Sequence, residues 1–252
     1  MRRKYQSRSI YLTDDPIEIY KGVQSGMYNK YPADFMDENN MKIIMRYIFL
    51  EERNYGKEDI CKLVRADLKI LHLTIFFKIK SCFYDIINIS FPEMQIKEWE
   101  MCCVSNTFWH IPENRKRYFT WLCEKYKLDI TKKEDLCRIN IFFLKSNYGS
   151  KVISAAGGVY PFIKECTNTP YLEWEICKVA KWDEQKAHIA VKWLIEEKLK
   201  LSCDKINEYS DSQLLKIVTR NEVIKYDLQG LLKSIFKMQI LDMIRFEYPK
   251  KK

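Results

Sequence analysis

The pentapeptide KEDIC at residues 57–61 returns as KEDLC at residues 133–137, an interval of 76 residues. A second motif, EWEMC at residues 98–102, returns as EWEIC at residues 173–177, an interval of 75 residues. Two unrelated motifs that share one interval indicate an internal repeat, because a fixed period is the sequence signature of chains built from copies of one unit.

A series of aromatic residues follows the same period. Tyr47, Trp121 and Trp193 are separated by 74 and 72 residues, and an aliphatic residue follows each of them. A second aromatic residue stands eleven or twelve positions before each one: Phe35, Trp109 and Trp182. These markers predict an all-α fold with three tandem helical repeat units of about 75 residues. The predicted parts are a basic N-terminal arm at 1–30 and units at 31–104, 105–178 and 179–252, the last truncated and ending in a lysine tail.

The apolar residues of each unit recur at the steps of three and four that are typical of an amphipathic helix. Met41, Ile44 and Ile48 form one such face. Pro112 stands where a helix of the second unit begins, a position at which its missing N–H costs nothing. Residues 71–79 leave an alternative open, because their β-branched and aromatic side chains would also fit a strand.

The composition narrows the class of protein. Hydrophobic residues make up 47% and charged residues 31% of the chain, a balance typical of globular domains. Seven glycines and seven prolines are too few for a β-sandwich or barrel rich in turns. The most apolar stretch, residues 68–91, contains four charged residues and does not predict a membrane span. No apolar core of a secretion signal follows the basic N terminus, so we expect a cytoplasmic protein.

The nine cysteines contain no C-x-x-C pair, and none of the three histidines stands at zinc-finger spacing from a cysteine. Cys61 and Cys137, like Cys102 and Cys177, recur with the repeat as packing positions do. We therefore expect these four thiols to be reduced, buried and free of metal, and we expect no cofactor.

No motif of an enzyme stands out. The carboxylate pairs Glu51-Glu52 and Glu196-Glu197 are adjacent on predicted helices, so their side chains diverge and suit a solvated face better than acid–base catalysis. A glycine-rich phosphate loop, a serine elbow and a zinc-protease helix are all missing. The six tryptophans could stack on bases, but their recurrence on apolar faces favours a core role. We expect no enzymatic activity.

Three stretches carry a resemblance to a known family: LEWE at 172–175, KWD at 181–183 and AVKWLIEEKL at 190–199. They resemble an uncharacterised family of tandem helical repeats in Gram-positive bacteria and their phages and prophages. The first unit departs from the pattern, since Tyr47 replaces the tryptophan. The resemblance implies a helical fold and carries no activity. The small helical units are also similar to the DNA-reading repeats that accompany mobile-element nucleases.

The net charge of +9 is spread unevenly: residues 1–30 carry +3, residues 250–252 carry +3, and residues 31–249 carry the remaining +3. Several cations of the body recur at helical spacings that would let them meet phosphates, although an ordinary solvated helix face would show the same spacing. The candidate nucleic-acid contacts are Arg2, Arg3, Lys4, Lys62, Arg65, Lys69, Arg115, Lys116, Arg117, Lys216 and Arg220.

These observations predict a non-enzymatic nucleic-acid-binding protein of a phage, prophage or mobile-element setting, with duplex DNA as the expected ligand. The alternative is a helical protein-interaction scaffold that modulates a host or phage protein. Stacked helical units form extended surfaces suited to either task, and the modest charge of the body keeps both open.

Overall fold

The computed structural model of the protein describes residues 11–179 and 181–250. Within these ranges the regular structure is helical and includes no strand, which confirms the predicted all-α class. The α-helices are α1 (Pro16–Gln24), α2 (Glu38–Arg46), α3 (Lys57–Lys62), α4 (Arg65–Ile70), α5 (Phe83–Ser90), α6 (Asn106–His110), α7 (Pro112–Tyr126), α8 (Lys133–Arg138), α9 (Ile141–Ser146), α10 (Ser150–Ala155), α11 (Val159–Thr167), α12 (Glu173–Ile176), α13 (Glu184–Lys192), α14 (Cys203–Glu208), α15 (Asp211–Ile217), α16 (Arg220–Lys225), α17 (Gln229–Ser234) and α18 (Ile240–Glu247). In the described part of the chain, four 3-10 turns (Ala33–Phe35, Thr74–Lys78, Pro92–Met94 and Glu98–Glu100) and two π-helical turns (Tyr47–Glu52 and Trp193–Lys198) complete the regular structure.

The chain forms two compact units, Met1–Trp109 and His110–Lys252. In the first unit the core is built on α2, which begins where the Asp37 carboxylate accepts a hydrogen bond from the Asn40 amide at 2.8 Å. Met41 and Ile44 on this helix are fully buried and pack in one hydrophobic cluster with Ile86 of α5. Burial of each such side chain stabilises the fold by about 1.5–3 kcal/mol.

A π-helical turn extends α2. Its wider hydrogen bond, from the Arg53 amide to the Ile48 carbonyl at 3.1 Å, spans five residues. Two consecutive apolar side chains of this turn, Ile48 and Phe49, are fully buried in the core. The second unit repeats this device after α13, with Leu194 and Ile195 as the buried pair.

Residues 71–79 form no strand. The segment folds into the 3-10 turn Thr74–Lys78, and Phe76 at its centre is fully buried. Burial of this aromatic side chain on a short helical turn has overridden the β propensity of its neighbours.

In the second unit α7 packs against α11. Pro112 occupies the first turn of α7, as expected. Tyr118 and Phe119 of α7 lie against Phe162 of α11, with ring centroids 6.2 and 5.6 Å apart. Further along the chain, α13 packs against α18 around the fully buried Val191 and Ile244.

The three aromatic residues that mark the repeat all lie on helical turns, but they differ in burial. Trp193 is buried, whereas Tyr47 and Trp121 are half-buried. The aliphatic residues that follow Tyr47 and Trp121 are fully buried, as is Leu194 after Trp193. The expectation that all three aromatic residues belong to the core was therefore wrong for two of them, because the aliphatic neighbour occupies the innermost position.

The two motifs that revealed the repeat contact each other. In the first unit the Cys102 amide donates a hydrogen bond to the Cys61 carbonyl at 2.8 Å. In the second unit the Cys137 thiol lies 3.6 Å from the Glu175 carbonyl. Each EWE segment thus packs against the short helix that carries the KED motif.

Of the helices in the described ranges, none combines the length and apolar character needed to cross a membrane.

Candidate nucleic-acid interface

The positive charge belongs to the second compact unit. Met1–Trp109 contains 16 basic and 15 acidic side chains, a balance of +1, and His110–Lys252 contains 27 and 19, a balance of +8. Residues 11–109 alone hold 12 basic and 15 acidic side chains, so this part of the first unit is net negative at −3. A polyanion would therefore be repelled on balance by residues 11–109 and attracted by the second unit.

The basic residues predicted in the first unit do not share one helix. Arg2, Arg3 and Lys4 lie outside the described residues. Lys62 ends α3 and Arg65 begins α4, so the assumed helical spacing through Lys69 is wrong.

The cause of this break is local. Leu63 adopts an extended conformation with ψ of 142°, and the Asp67 carboxylate then accepts a hydrogen bond from the Val64 amide at 2.7 Å to start a new helix. Lys62 pairs with Asp59 at 3.2 Å, and the Arg65 guanidinium lies 4.0 Å from the centre of the Phe77 ring. Both cations are exposed but already have a partner.

Arg115 is not a surface contact. It is 7% exposed, and its guanidinium binds the Glu165 carboxylate through Nε and Nη2 at distances of 2.8–3.2 Å. This ion pair joins α7 to α11 in the interior. Its partner stands 50 residues away in the sequence, which is why the predicted phosphate contact at Arg115 was wrong.

The neighbouring residues Lys116 and Arg117 are exposed on α7. Successive residues of a helix point about 100° apart, so burial of Arg115 turns Lys116 and Arg117 outward. The Arg117 Nη1 atom donates a hydrogen bond to the Asn114 side chain at 3.2 Å. Lys216 and Arg220 are also exposed, but they belong to two separate helices, α15 and α16.

A mixed aromatic and basic stripe runs along α7. Arg117, Trp121 and Lys125 stand four residues apart and so follow one side of the helix. The Lys125 ammonium lies 4.7 Å from the centre of the Trp121 ring, a cation–π contact. Tyr148, half exposed, lies beside the same ring with centroids 6.5 Å apart. We call these four residues the α7 stripe.

Tyr148 is held by a rigid corner. It adopts a left-handed conformation with φ of 67°, and the next amide, of Gly149, donates to the Leu144 carbonyl at 2.8 Å. A side chain at Gly149 would place its Cβ 2.4 Å from the Tyr118 hydroxyl oxygen. Tyr118 in turn donates to the Asn147 carbonyl at 2.7 Å. The sequence offered no signal for this residue beyond the dipeptide Tyr-Gly, a common turn pattern.

The tryptophans divide into two classes. Trp99, Trp109, Trp174 and Trp193 are 1–6% exposed, which confirms the predicted core role for these four. Trp121 and Trp182 are half-buried, so each keeps part of its ring at the surface.

All nine cysteines are free thiols. Cys61 and Cys177 are half-buried and Cys102 and Cys137 are exposed, so the predicted burial of these four thiols was wrong. Desolvation by partial burial raises the pKa of Cys177 to about 12. Thiols with raised pKa are poor nucleophiles at neutral pH. Within the described ranges, no group of three or more metal-binding side chains comes together.

One glutamate of each carboxylate pair accepts a hydrogen bond from a tyrosine. Tyr47 donates a hydrogen bond to Glu52 at 2.6 Å, and Tyr248 donates to Glu196 at 2.9 Å. The first contact lies within the π-helical turn Tyr47–Glu52, and the second ties the turn Trp193–Lys198 to the residue that follows α18. We found no match to the chain among protein-family models, curated proteins or solved structures.

Proposed function

We propose that the protein binds nucleic acid without enzymatic activity, through its second compact unit, with duplex DNA as the expected ligand. The observation that carries this proposal is the concentration of charge. The second unit holds +8 of the net +9, and the exposed cations of α7 stand beside half-exposed aromatic rings. Nonspecific affinity for nucleic acid comes from such cations through counterion release.

The cations and the aromatic rings of the α7 stripe would make different contacts with nucleic acid. Arg117 and Lys125, with Lys116 beside them, supply phosphate contacts that carry no sequence information. Trp121 and Tyr148 supply ring surface on which an unpaired base can stack, a contact worth about 1–3 kcal/mol per base. The cations should therefore act on duplex and single strand alike, and the rings only on unpaired bases.

The element order supports the repeat interpretation behind this proposal. In the first repeat, α2 and its π-helical turn are followed by four short helical elements: α3, α4, the 3-10 turn Thr74–Lys78 and α5. In the second repeat, α7 is also followed by four, α8 to α11. Five elements, α14 to α18, follow the second π-helical turn. We propose three related units, the last with one added helix, and we retain the proposed kinship with the helical-repeat family of phages and prophages.

The test is fluorescence anisotropy with a random 30-base-pair duplex and a single strand of equal length, from low to moderate salt. A variant that we call the stripe variant replaces the two cations of the α7 stripe and the neighbouring lysine: Arg117→Gln, Lys125→Gln and Lys116→Gln together. Its matched control is Lys62→Gln, Arg65→Gln and Lys69→Gln, which removes the same charge from the first unit. We expect the slope of log affinity against log salt to fall by up to about 0.9 per lost contact on duplex DNA for the stripe variant. The control variant should change the slope by less than half as much.

Tyr148→Ala separates the two kinds of contact, because it should weaken single-strand binding about fivefold or more and leave duplex binding unchanged. Absence of duplex binding by the intact protein at low salt would refute the proposal. Equal effects of the stripe and control variants would show that the second unit has no special role.

One observation favours the alternative, a protein-interaction scaffold. Ile141 and Phe142 at the start of α9 are 41% and 80% exposed. Adjacent exposed apolar side chains are typical of protein contacts. If DNA binding fails, Phe142→Ser should abolish capture of a protein partner while leaving the thermal stability unchanged.

A further inference from the structure

Two cavities of equal size, one in each compact unit, are built from corresponding elements. The first cavity has a volume of about 440 Å³ and lies between the connection that precedes α2 and the 3-10 turn Thr74–Lys78. The second has the same volume and lies between the connection that precedes α13 and the start of α17. We call them the α2 pocket and the α13 pocket.

The walls of the two pockets match in detail. One wall contains a residue in the left-handed conformation, His72 with φ of 54° in the α2 pocket and Asp227 with φ of 60° in the α13 pocket. The other wall ends at the residue before the aspartate that caps the helix, Met36 or Trp182. The shared construction shows that each pocket is a regular product of the fold.

The charges of the two pockets are opposite. The α2 pocket is lined by Lys30, Lys78 and His72, and its lining includes no carboxylate. The α13 pocket is lined by Glu175 and Asp227 with a single lysine, so its balance is negative. The contrast matters because residues 11–109, which surround the α2 pocket, are net negative.

The rest of the α2 lining suits an organic ligand that carries an anion. Tyr31, Pro32, Met36 and Ile75 offer apolar surface, and Asn29 and Thr74 offer hydrogen bonds. A volume of about 440 Å³ falls in the range of small-molecule sites, which are mostly apolar with a few polar groups. Two acidic residues stand close to the lining in the sequence: Glu38 pairs with Lys80 at 2.8 Å, and Asp34 is exposed next to Ala33 of the wall.

We infer that the α2 pocket binds the phosphate monoester of a nucleoside. Lys78 would hold the phosphate as a point charge, His72 would donate a hydrogen bond to it, Lys30 would add positive charge to the lining, and the apolar wall would cover the base. Such a phosphate belongs either to a free nucleotide or to the 5′ end of a nucleic-acid strand. This site lies in the first unit and does not depend on the α7 stripe.

Isothermal titration of the full chain with AMP tests the site, and a 5′-phosphorylated ten-nucleotide strand and its 5′-hydroxyl counterpart distinguish the two sources. We expect AMP to bind with Kd below about 1 mM. Lys78→Gln should weaken binding about tenfold or more, because a charge-assisted contact is lost. Lys78 is exposed, so this substitution should leave the fold intact. His72→Asn, which tolerates the left-handed conformation, should weaken binding less.

Two control variants separate the possible outcomes. Lys97→Gln removes an exposed lysine of the same unit outside the pocket and should leave AMP binding within twofold. The stripe variant should also leave it unchanged, so failure of the DNA proposal and failure of this one are distinguishable. No heat of AMP binding up to about 10 mM, or equal binding by the Lys78→Gln and Lys97→Gln variants, would overturn the inference.

Discussion

Two neighbouring basic residues of α7 should behave in opposite ways. Arg115→Met should destabilise the protein and leave its DNA affinity unchanged, whereas Lys116→Gln should weaken DNA binding and leave stability unchanged. The reason lies in their surroundings, since Arg115 is buried against Glu165 and Lys116 faces solvent. A sequence that reads Arg-Lys-Arg gives no hint of this difference.

The magnitude follows from the geometry. Removal of one partner from a buried ion pair costs about 3–5 kcal/mol, because the other charge stays behind without compensation. The Glu165 side chain keeps 27% of its surface exposed, so water compensates part of the loss. Methionine also retains much of the apolar contact of the arginine stem. We therefore expect a loss near the lower limit, about 2–3 kcal/mol, for Arg115→Met.

The assay is urea unfolding followed by circular dichroism, combined with the anisotropy titration at a temperature where both variants are folded. The double variant Arg115→Met, Glu165→Leu should recover much of the loss, since replacing both charges by apolar groups leaves none unpaired. If Arg115→Met changes stability by less than about 0.5 kcal/mol while reducing the salt slope, Arg115 contacts phosphate and the reasoning is refuted.

Three further predictions concern the core and the thiols. Gly149→Ala should lower the free energy of unfolding in urea by about 1–3 kcal/mol, because its Cβ would clash with the Tyr118 hydroxyl. Tyr118→Phe in the same chain should reduce that loss, and full additivity of the two free-energy changes would contradict the clash. Trp193→Ala should cost about 3–5 kcal/mol and Trp121→Ala clearly less, since Trp193 is 6% exposed and Trp121 half-buried; equal losses would contradict this ranking. In a thiol-reagent titration at pH 8 the exposed Cys203 should react before Cys166, whose pKa burial raises to about 12, and stoichiometric zinc by elemental analysis would contradict free thiols.

The helical class could be predicted from the sequence because apolar residues recur at the steps of three and four that are typical of an amphipathic helix. The π-helical turns could not, since their hydrogen bonds, such as the one from the Arg53 amide to the Ile48 carbonyl, span one residue more than those of an ordinary helix. Tertiary packing decides between the α-helical and the π-helical hydrogen-bond register, so no pattern in the local sequence indicates which one forms. The sequence also led us to overestimate the burial of Tyr47 and Trp121 relative to the aliphatic residues beside them, because the depth of a side chain in the core depends on tertiary contacts.

The candidate interface was only partly predictable. Exposure of Lys116 depends on which side of α7 meets α11, and that contact is tertiary. The break between Lys62 and Arg65 had a local signal, because Asp67 stands three residues after Val64 as a helix-capping carboxylate does. Tyr148 had almost none, since its position depends on a corner whose hydrogen bonds reach back to Leu144.

The left-handed corner at Tyr148 recurs at other surfaces of the molecule. His72, Tyr148 and Asp227 each follow a short helix in the left-handed conformation, and in each case the next amide donates to a carbonyl five residues earlier, at 2.7, 2.8 and 3.0 Å. Glycine would adopt this conformation without strain, whereas another residue costs about 1–2 kcal/mol. The three corners carry a basic, an aromatic and an acidic side chain, and each of these lines a pocket or the α7 stripe. The same corner ends α7, where Lys127 is left-handed and the Leu128 amide donates to the Cys123 carbonyl at 2.9 Å, so the corner is a general way to end a helix in this fold, and the pockets and the α7 stripe use the side chains that it places at the surface.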